Sequence, residues 1–271
     1  HLQTAYKNFF RDSSAGFPKF KSKKSSHRSY TTNCVNGNIC IENNCIKLPK
    51  IGYVKLKQHR IIPNEYKLKS VTVSQTPSGK YYASILFEYE NQVQEKELQS
   101  FLGLDFSMHE LYRDSNGNEP AYPGYYRKAE KKLAKEQRRL SRMQKGSKNR
   151  NKQRIRVAKL HEKVSNQRKD FLHKQSRQIT NACDCVCIED LDMKAMSQSL
   201  NFGKSVMDNG WGMFTTFLKY KLEEQGKRLV KVDRFFASSQ ICNICGYKNP
   251  EIKNLAVRAW ACPRCGTRHD R

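Results

Sequence analysis

Acidic residues are scarce in this chain: 25 Asp and Glu stand against 51 Lys and Arg in 271 residues, a formal net charge of +26. So large an excess is hard to hold on a compact surface without a polyanion, and nucleic acid is the usual one. Apolar sequence is also limited, at 37% of residues. No run reaches the ~18 residues of a membrane span, and no signal peptide or amphipathic anchor is visible. A membrane partner is therefore a poor candidate, and a cytosolic setting is the expectation. No repeat of about 20–50 residues recurs, which excludes a solenoid. Cysteine is not scarce, with ten copies, but its arrangement argues against a secreted disulfide framework. Four cysteines fall into two C-x-x-C pairs, and three more sit in one apolar strand.

The chain opens at His1 inside a helical pattern (Leu2, Ala5, Tyr6, Phe9, Phe10) and stops at Arg271 just after a metal-like motif. The expectation is a piece of a longer protein. Residues 1–28 read as the end of a helical lobe, whose aromatic face needs a partner outside this sequence, followed by a basic loop. In that loop Phe17 and Phe20 offer rings for stacking, and Lys19, Lys21, Lys23 and Lys24 offer ammonium groups to phosphates. The competing reading is an ordinary loop with both rings anchored in the core. Residues 29–92 change to short strands at regular spacing, around Tyr30, Cys40, Ile46, Val54, Val71 and Ile85. Thr76-Pro77-Ser78-Gly79 makes a strong hairpin turn between the last two. A small barrel-like or sandwich domain that binds nucleic acid is expected, with Cys34, Cys40 and Cys45 as packing thiols.

Residues 93–124 begin with a polar linker, Val93 to Ser100, and then place one carboxylate, Asp105, in the apolar run Phe101 to Phe106 before the turn Asp114-Ser115-Asn116-Gly117. This reads as a central strand entering a hairpin. A lone buried carboxylate is costly unless a metal ion or a set of donors meets it; satisfaction by backbone donors at a strand end is the bland alternative. Residues 125–182 hold 20 Lys/Arg and 4 Asp/Glu. Apolar positions near the helical period (Leu133, Leu140, Val157, Val164, Leu172, Ile179) and a break at Lys145 to Arg150 predict a two-helix hairpin. Charge runs are usually solvated faces. The one-sided sign over many turns favours a phosphate-tracking surface that includes Arg138, Arg139, Arg142, Lys148, Arg150 and Arg154.

Residues 183–237 start with a second short apolar strand, Cys183 to Ile188, tipped by Glu189. Beside Asp105, Glu189 would complete an acid pair able to hold a divalent metal for attack on a phosphodiester. Asp190 and Asp192 are explained as well by a helix N-terminus. Leu200 to Asn209 reads as a polar loop or lid, Trp211 to Gln225 as an amphipathic helix ended by Gly226, and Arg228 to Asp233 as a strand. Residues 238–271 contain the most specific motif. Cys242-x-x-Cys245 and Cys262-x-x-Cys265 lie 16 residues apart, each pair followed by glycine. Four thiolates close a tetrahedral sphere, so the expected zinc is structural.

Taken together these motifs resemble the TnpB (OrfB) family of insertion-sequence proteins, related to type V CRISPR effector nucleases. They are Gly103-Leu104-Asp105, the basic hairpin, Ile188-Glu189-Asp190-Leu191, Trp211 with its helix, Ser238-Ser239-Gln240 before Cys242, and Cys262-Pro263-Arg264-Cys265-Gly266 with His269-Asp270-Arg271. The resemblance implies an α+β or α/β fold: an RNase H-like (RuvC) domain with a long basic helical hairpin and an inserted zinc ribbon, preceded by a small β-barrel-like domain. It also implies a guide RNA and target DNA as partners and Mg²⁺-dependent cleavage. On it, Asp105 and Glu189 are the first two catalytic carboxylates, and the family's third follows the His-Asp-Arg motif, beyond Arg271. The alternative within the family is a nuclease-dead, RNA-guided DNA-binding regulator, against which the two acids argue. A strand-joining transposase would call for a nucleophilic tyrosine, and no His-x-His partner motif accompanies the tyrosines.

Overall fold

The computed structural model describes the chain apart from residues 1, 13, 20–27, 108, 200–202, 235, 255, 258 and 271. It divides into two units, residues 1–92 with 129–165 and residues 93–128 with 166–271.

In the first unit, helix α1 (Leu2–Arg11) carries an aromatic stripe. Tyr6 and Phe9 meet Phe17 edge-on at 5.8 and 5.5 Å, but the helix buries none of its residues and Leu2 and Phe10 stay exposed. Phe17 likewise stays exposed rather than anchoring in a core. Six strands follow: β1 (Arg28–Asn33), β2 (Cys40–Glu42), β3 (Cys45–Leu48), β4 (Gly52–Lys55), β5 (Lys67–Gln75) and β6 (Tyr81–Glu88). Among the described residues these form two open three-stranded antiparallel sheets, β1-β5-β6 and β2-β3-β4, rather than a closed barrel. Two turns set the pairing. Asn43 and Asn44 both take the left-handed conformation that a tight β2–β3 connection needs. Between β5 and β6, Gly79 (φ +94°) closes the turn onto the Thr76 carbonyl at 2.9 Å. Ile39, Ile46, Leu48 and Val71 form this unit's strand core, with Cys34 packed against it.

In the second unit, β7 (Phe101–Phe106) and β8 (Tyr112–Asp114) form the predicted hairpin. Helices α2 (Tyr125–Ser141) and α3 (Lys148–Ala182) follow, and each runs through the boundary between the units. Leu133, Val157, Val164, Leu172 and Ile179 are their buried apolar positions, and Gln153, Ser176 and Thr180 of α3 are buried polar ones. After α3 come β9 (Cys185–Glu189), α4 (Met193–Ser199), α5 (Gly203–Asn209), α6 (Trp211–Glu223) and β10 (Arg228–Val232). The described part of the expected polar loop before Trp211 is thus a helix. It forms because Val206 is buried and the neighbouring Asp208 and Asn209 have internal hydrogen-bond partners.

The sheet order is β10-β9-β7-β8, with β7, β9 and β10 parallel and β8 antiparallel at the edge. Parallel neighbours need long crossovers, here α2–α3 between β7 and β9 and α4–α6 between β9 and β10. Trp211, Phe214, Leu218 and Leu222 recur on one face of α6 and are buried with Leu102, Leu104, Val186 and Ile188. Each such side chain contributes roughly 1.5–3 kcal/mol on burial. Strands β11 (Ala259–Ala261) and β12 (Arg268–Asp270) complete the cysteine-rich segment.

Candidate active site and metal centre

Period-2 alternation in β7 and β9 turns Leu102, Leu104, Val186 and Ile188 into the core. That leaves Asp105 and Glu189 as the next residues at the carboxyl ends of two adjacent strands. The register pairs Leu104 with Ile188, so the two acids stand side by side one step further on. Val232 of β10 is opposite Glu189, which brings Asp233 to the same edge. Carboxyl ends of parallel strands are where open α/β sheets bind ligands. A cleft of about 370 Å³ lies here, lined by Asp105, Arg113, Asp114, Cys187, Glu189, Asp233 and Phe236, among others.

The expectation that Asp105 is a buried carboxylate is corrected. Its strand is buried through Leu102 and Leu104, but Asp105 is solvent-accessible on the cleft side and Glu189 is half-buried. Crowding by protein atoms still pushes the Asp105 carboxyl above its ordinary range, opposed by the Phe106 backbone N–H and by the charge of Arg113. For Glu189 both influences push upward: burial first, then the negative charge of Asp105. Glu189 therefore senses the charge of Asp105, as a carboxylate beside another does. Arg113 reaches the cleft because β8 pairs it with Asp105; its guanidinium also meets Glu119 at 2.5 Å.

The neighbouring acids are occupied otherwise. Asp192 accepts from the Lys194 and Ala195 N–H groups at 3.0 and 2.9 Å and so caps α4, as anticipated. Asp190 instead pairs with Lys231 at 2.8 Å and Arg234 at 3.5 Å.

The four cysteines come together. Their sulfurs lie within 4.8 Å of one another, with Cys242–Cys265 and Cys245–Cys262 each at 3.5 Å. Gly246 (φ +69°) and Gly266 (φ +72°) fold each knuckle so that its N–H reaches the carbonyl of the first cysteine, at 2.9 and 2.8 Å. The Thr267 hydroxyl and backbone lower the pKa of the Cys265 thiol, whereas at Cys245, against the Tyr247 backbone N–H, burial and the neighbouring cysteines raise it. His269 Nε2 approaches Cys242 Sγ at 3.2 Å. Four soft donors at such distances are a set that can hold Zn²⁺.

Of the basic residues singled out, Lys19, Arg138, Arg139, Arg142, Lys148 and Arg154 are exposed, and Arg150 is half-buried. Arg154 donates to the Pro77 carbonyl at 3.3 Å. Lys21, Lys23 and Lys24 lie outside the described residues. Sequence reasoning missed Arg113, Asp233 and Phe236 in the cleft. It also missed Asp208, which accepts from Tyr126 and Arg127 N–H and from Arg168 at 3.0–3.3 Å. The signal available for Arg113 was the hairpin register; for Phe236 none existed short of the fold.

Fold and site define an α+β protein with an acid-lined cleft at parallel strand ends and a four-cysteine metal-ligand group. Residues 84–200 match the OrfB_IS605 family model, described as "Probable transposase", and residues 211–271 match the Cas12f1-like TNB domain. A Streptomyces pristinaespiralis protein named "Putative RNA-guided DNA endonuclease" is 33% identical over 100% of this chain and 66% of its own length. InsQ of Escherichia coli K12, similarly named, is 33% identical over 92% of this chain and 64% of its own. The chain thus spans about two thirds of the length of these relatives. Cas12f1 of Sulfoacidibacillus thermotolerans is 23% identical over 79% of the chain and 53% of its own length. A cryo-EM structure of a Cas12f1–sgRNA–target DNA complex superposes with a TM-score of 0.59 at 14% identity, over 96% of this chain and 65% of that one. The chain belongs to the OrfB (TnpB-like) family, which includes Cas12f1 relatives and proteins named as endonucleases. No described helix is long and apolar enough to cross a membrane.

Proposed function

We propose that the chain is part of an RNA-guided, Mg²⁺-dependent DNA endonuclease of RNase H-like (RuvC) design, with guide RNA and target DNA as partners. Asp105 and Glu189 are its catalytic carboxylates. The observation that carries this reading is the register of β7 and β9, which sets two carboxylates of raised proton affinity side by side at one sheet edge. Adjacent hard oxygen donors, the pKa of one raised by burial and by the other's charge, fit a divalent cation such as Mg²⁺. When bound there, the ion supplies charge stabilisation for in-line attack on a phosphodiester. Asp105 and Glu189 hold it, and Arg113 offers a guanidinium to the phosphate.

Cys242, Cys245, Cys262 and Cys265 hold a structural zinc, since a filled thiolate sphere leaves no position for substrate. Lys19, Lys21, Lys23, Lys24, Arg138, Arg139, Arg142, Lys148, Arg150 and Arg154 supply sequence-independent phosphate contacts. The test is Mg²⁺-dependent cleavage of matched DNA by the protein loaded with its RNA. Asp105→Ala is expected to abolish cleavage while leaving nucleic-acid binding intact. Cleavage unchanged in Asp105→Ala would remove that residue from the mechanism.

A further inference from the structure

We infer that His269 is a positioning residue of the four-cysteine centre: its Nε2–H donates to the Cys242 thiolate and holds that ligand in place for the metal. The inference rests on the zinc reading above and adds a side chain that touches a ligand rather than the ion. His269 Nε2 lies 3.2 Å from Cys242 Sγ, across 27 residues of sequence.

Charge explains why such a donor is needed. Four thiolates outweigh one divalent ion, and Cys242 and Cys262 are buried. Buried negative charge is costly unless N–H groups meet it. Cys245 and Cys265 find theirs locally, in the backbone N–H groups of Tyr247 and Thr267, and Cys265 has the Thr267 hydroxyl at 3.2 Å as well. Cys242 draws on β12 instead.

The β11–β12 register sets Trp260 directly opposite His269. The imidazole packs on the indole with ring centroids 4.6 Å apart and 33° between planes. Trp260 is itself buried with Cys242, Ile252 and Cys262, so the wall behind the imidazole is part of this segment's core. The direction of the hydrogen bond follows from the ligand. A metal-bound thiolate has no proton to give, so the nitrogen that faces it must carry one. Coordination by His269 is the competing role. The four sulfurs lie within 4.8 Å of one another and already complete a tetrahedral set, which leaves the imidazole no position on the ion.

The experiment is competition with a chromophoric zinc chelator, run on the wild-type chain, His269→Phe and His269→Gln. Phenylalanine keeps a flat ring on Trp260 and removes the donor; glutamine keeps an N–H donor and gives up the ring. His269→Phe is expected to weaken zinc binding roughly 10- to 100-fold, and His269→Gln to retain most of the wild-type affinity. Loading with Co²⁺ supplies a readout that packing alone would not move. A thiolate that loses an N–H donor gives up electrons more readily, so sulfur-to-cobalt charge transfer shifts to longer wavelength in His269→Phe but not in His269→Gln. Equal affinity in His269→Phe and the wild type, or equal loss in both variants, overturns the inference. So does a wild-type cobalt spectrum of three sulfur ligands and one nitrogen, which makes His269 a ligand. A wild-type chain that takes up no zinc defeats the zinc reading and this inference with it, whereas zinc held equally well without the imidazole defeats the role of His269 alone.

Discussion

Lys221 offers a quantitative test of how the second unit is held together. It is 3% exposed in α6, and its Nζ donates to the His173 carbonyl and to Ser176 Oγ of α3, each at 2.7 Å. Burial, followed by the positive charge of Arg177, lowers its pKa to about 8 from an ordinary 10.5, with Glu224 opposing. The unfolded chain therefore binds the extra proton between these values, and stability rises with pH across that window. Holding the amine at about 8 instead of 10.5 corresponds to roughly 3 kcal/mol. Below pH 8 the whole cost is present; above 10.5 it is relieved. Other groups titrate in the same range, so the measurement is a difference. Urea unfolding of the wild type and of Lys221→Met is followed at pH 7 and pH 10. The wild type should gain about 2–3 kcal/mol on the variant between the two conditions. A difference independent of pH would refute the assignment of an unpaired, desolvated ammonium.

Three further outcomes are expected. Asp105→Asn or Glu189→Gln should raise the melting temperature of metal-free protein at pH 7, because a carboxylate whose folded pKa is raised loses stability as pH climbs through it. Thermal scans with and without Mg²⁺ should show stabilisation of the wild type that both variants lose. Gly226→Ala should destabilise by more than about 2 kcal/mol, since φ is +69° and a Cβ would fall 2.0 Å from the Gln94 carbonyl oxygen; urea unfolding measures this. Chelation should release about one zinc per chain, and Cys262→Ser should prevent its uptake and expose residues 238–270 to protease, as read by metal analysis and limited digestion.

Legibility followed the range of the determining interactions. The strands around Tyr30, Ile46, Val71 and Ile85, the Thr76 to Gly79 turn and the α6 stripe depend on neighbours in sequence, and period and turn chemistry reveal them. The cysteine knuckles are legible for the same reason, each being a six-residue loop closed on itself. What was not legible is set by distant partners. The segment before Trp211 reads as a polar loop because Asp208 and Asn209 look solvated. They become helical interior only because Tyr126, Arg127 and Arg168 come to Asp208, and because Asn209 donates to the Ser107 and Glu110 carbonyls at 3.0 and 2.9 Å. Likewise a carboxylate at a strand tip announces itself, but whether it faces core or cleft is a property of the sheet edge. Asp105 was expected inside and stands at the cleft.

That contrast bears on the choice between structural and functional acids. Asp208 is a structural one: 3% exposed, it draws two backbone N–H groups, a guanidinium and the Tyr122 hydroxyl. Burial of its charge is offset by donors that the fold itself brings. Asp114, in the cleft wall, is similarly served by Asn116 and Asn118 at 2.8–2.9 Å, and Asp190 by two cations. Asp105 and Glu189 break this pattern. Each is crowded and Glu189 bears the repulsion of its neighbour, yet among the described residues only the Phe106 N–H and the charge of Arg113 oppose the rise at Asp105, and its pKa still stands raised. An Asn–Gln pair would satisfy the sheet edge without this cost, so stability gives no reason for two carboxylates there. A divalent cation does, because it converts the repulsion into attraction.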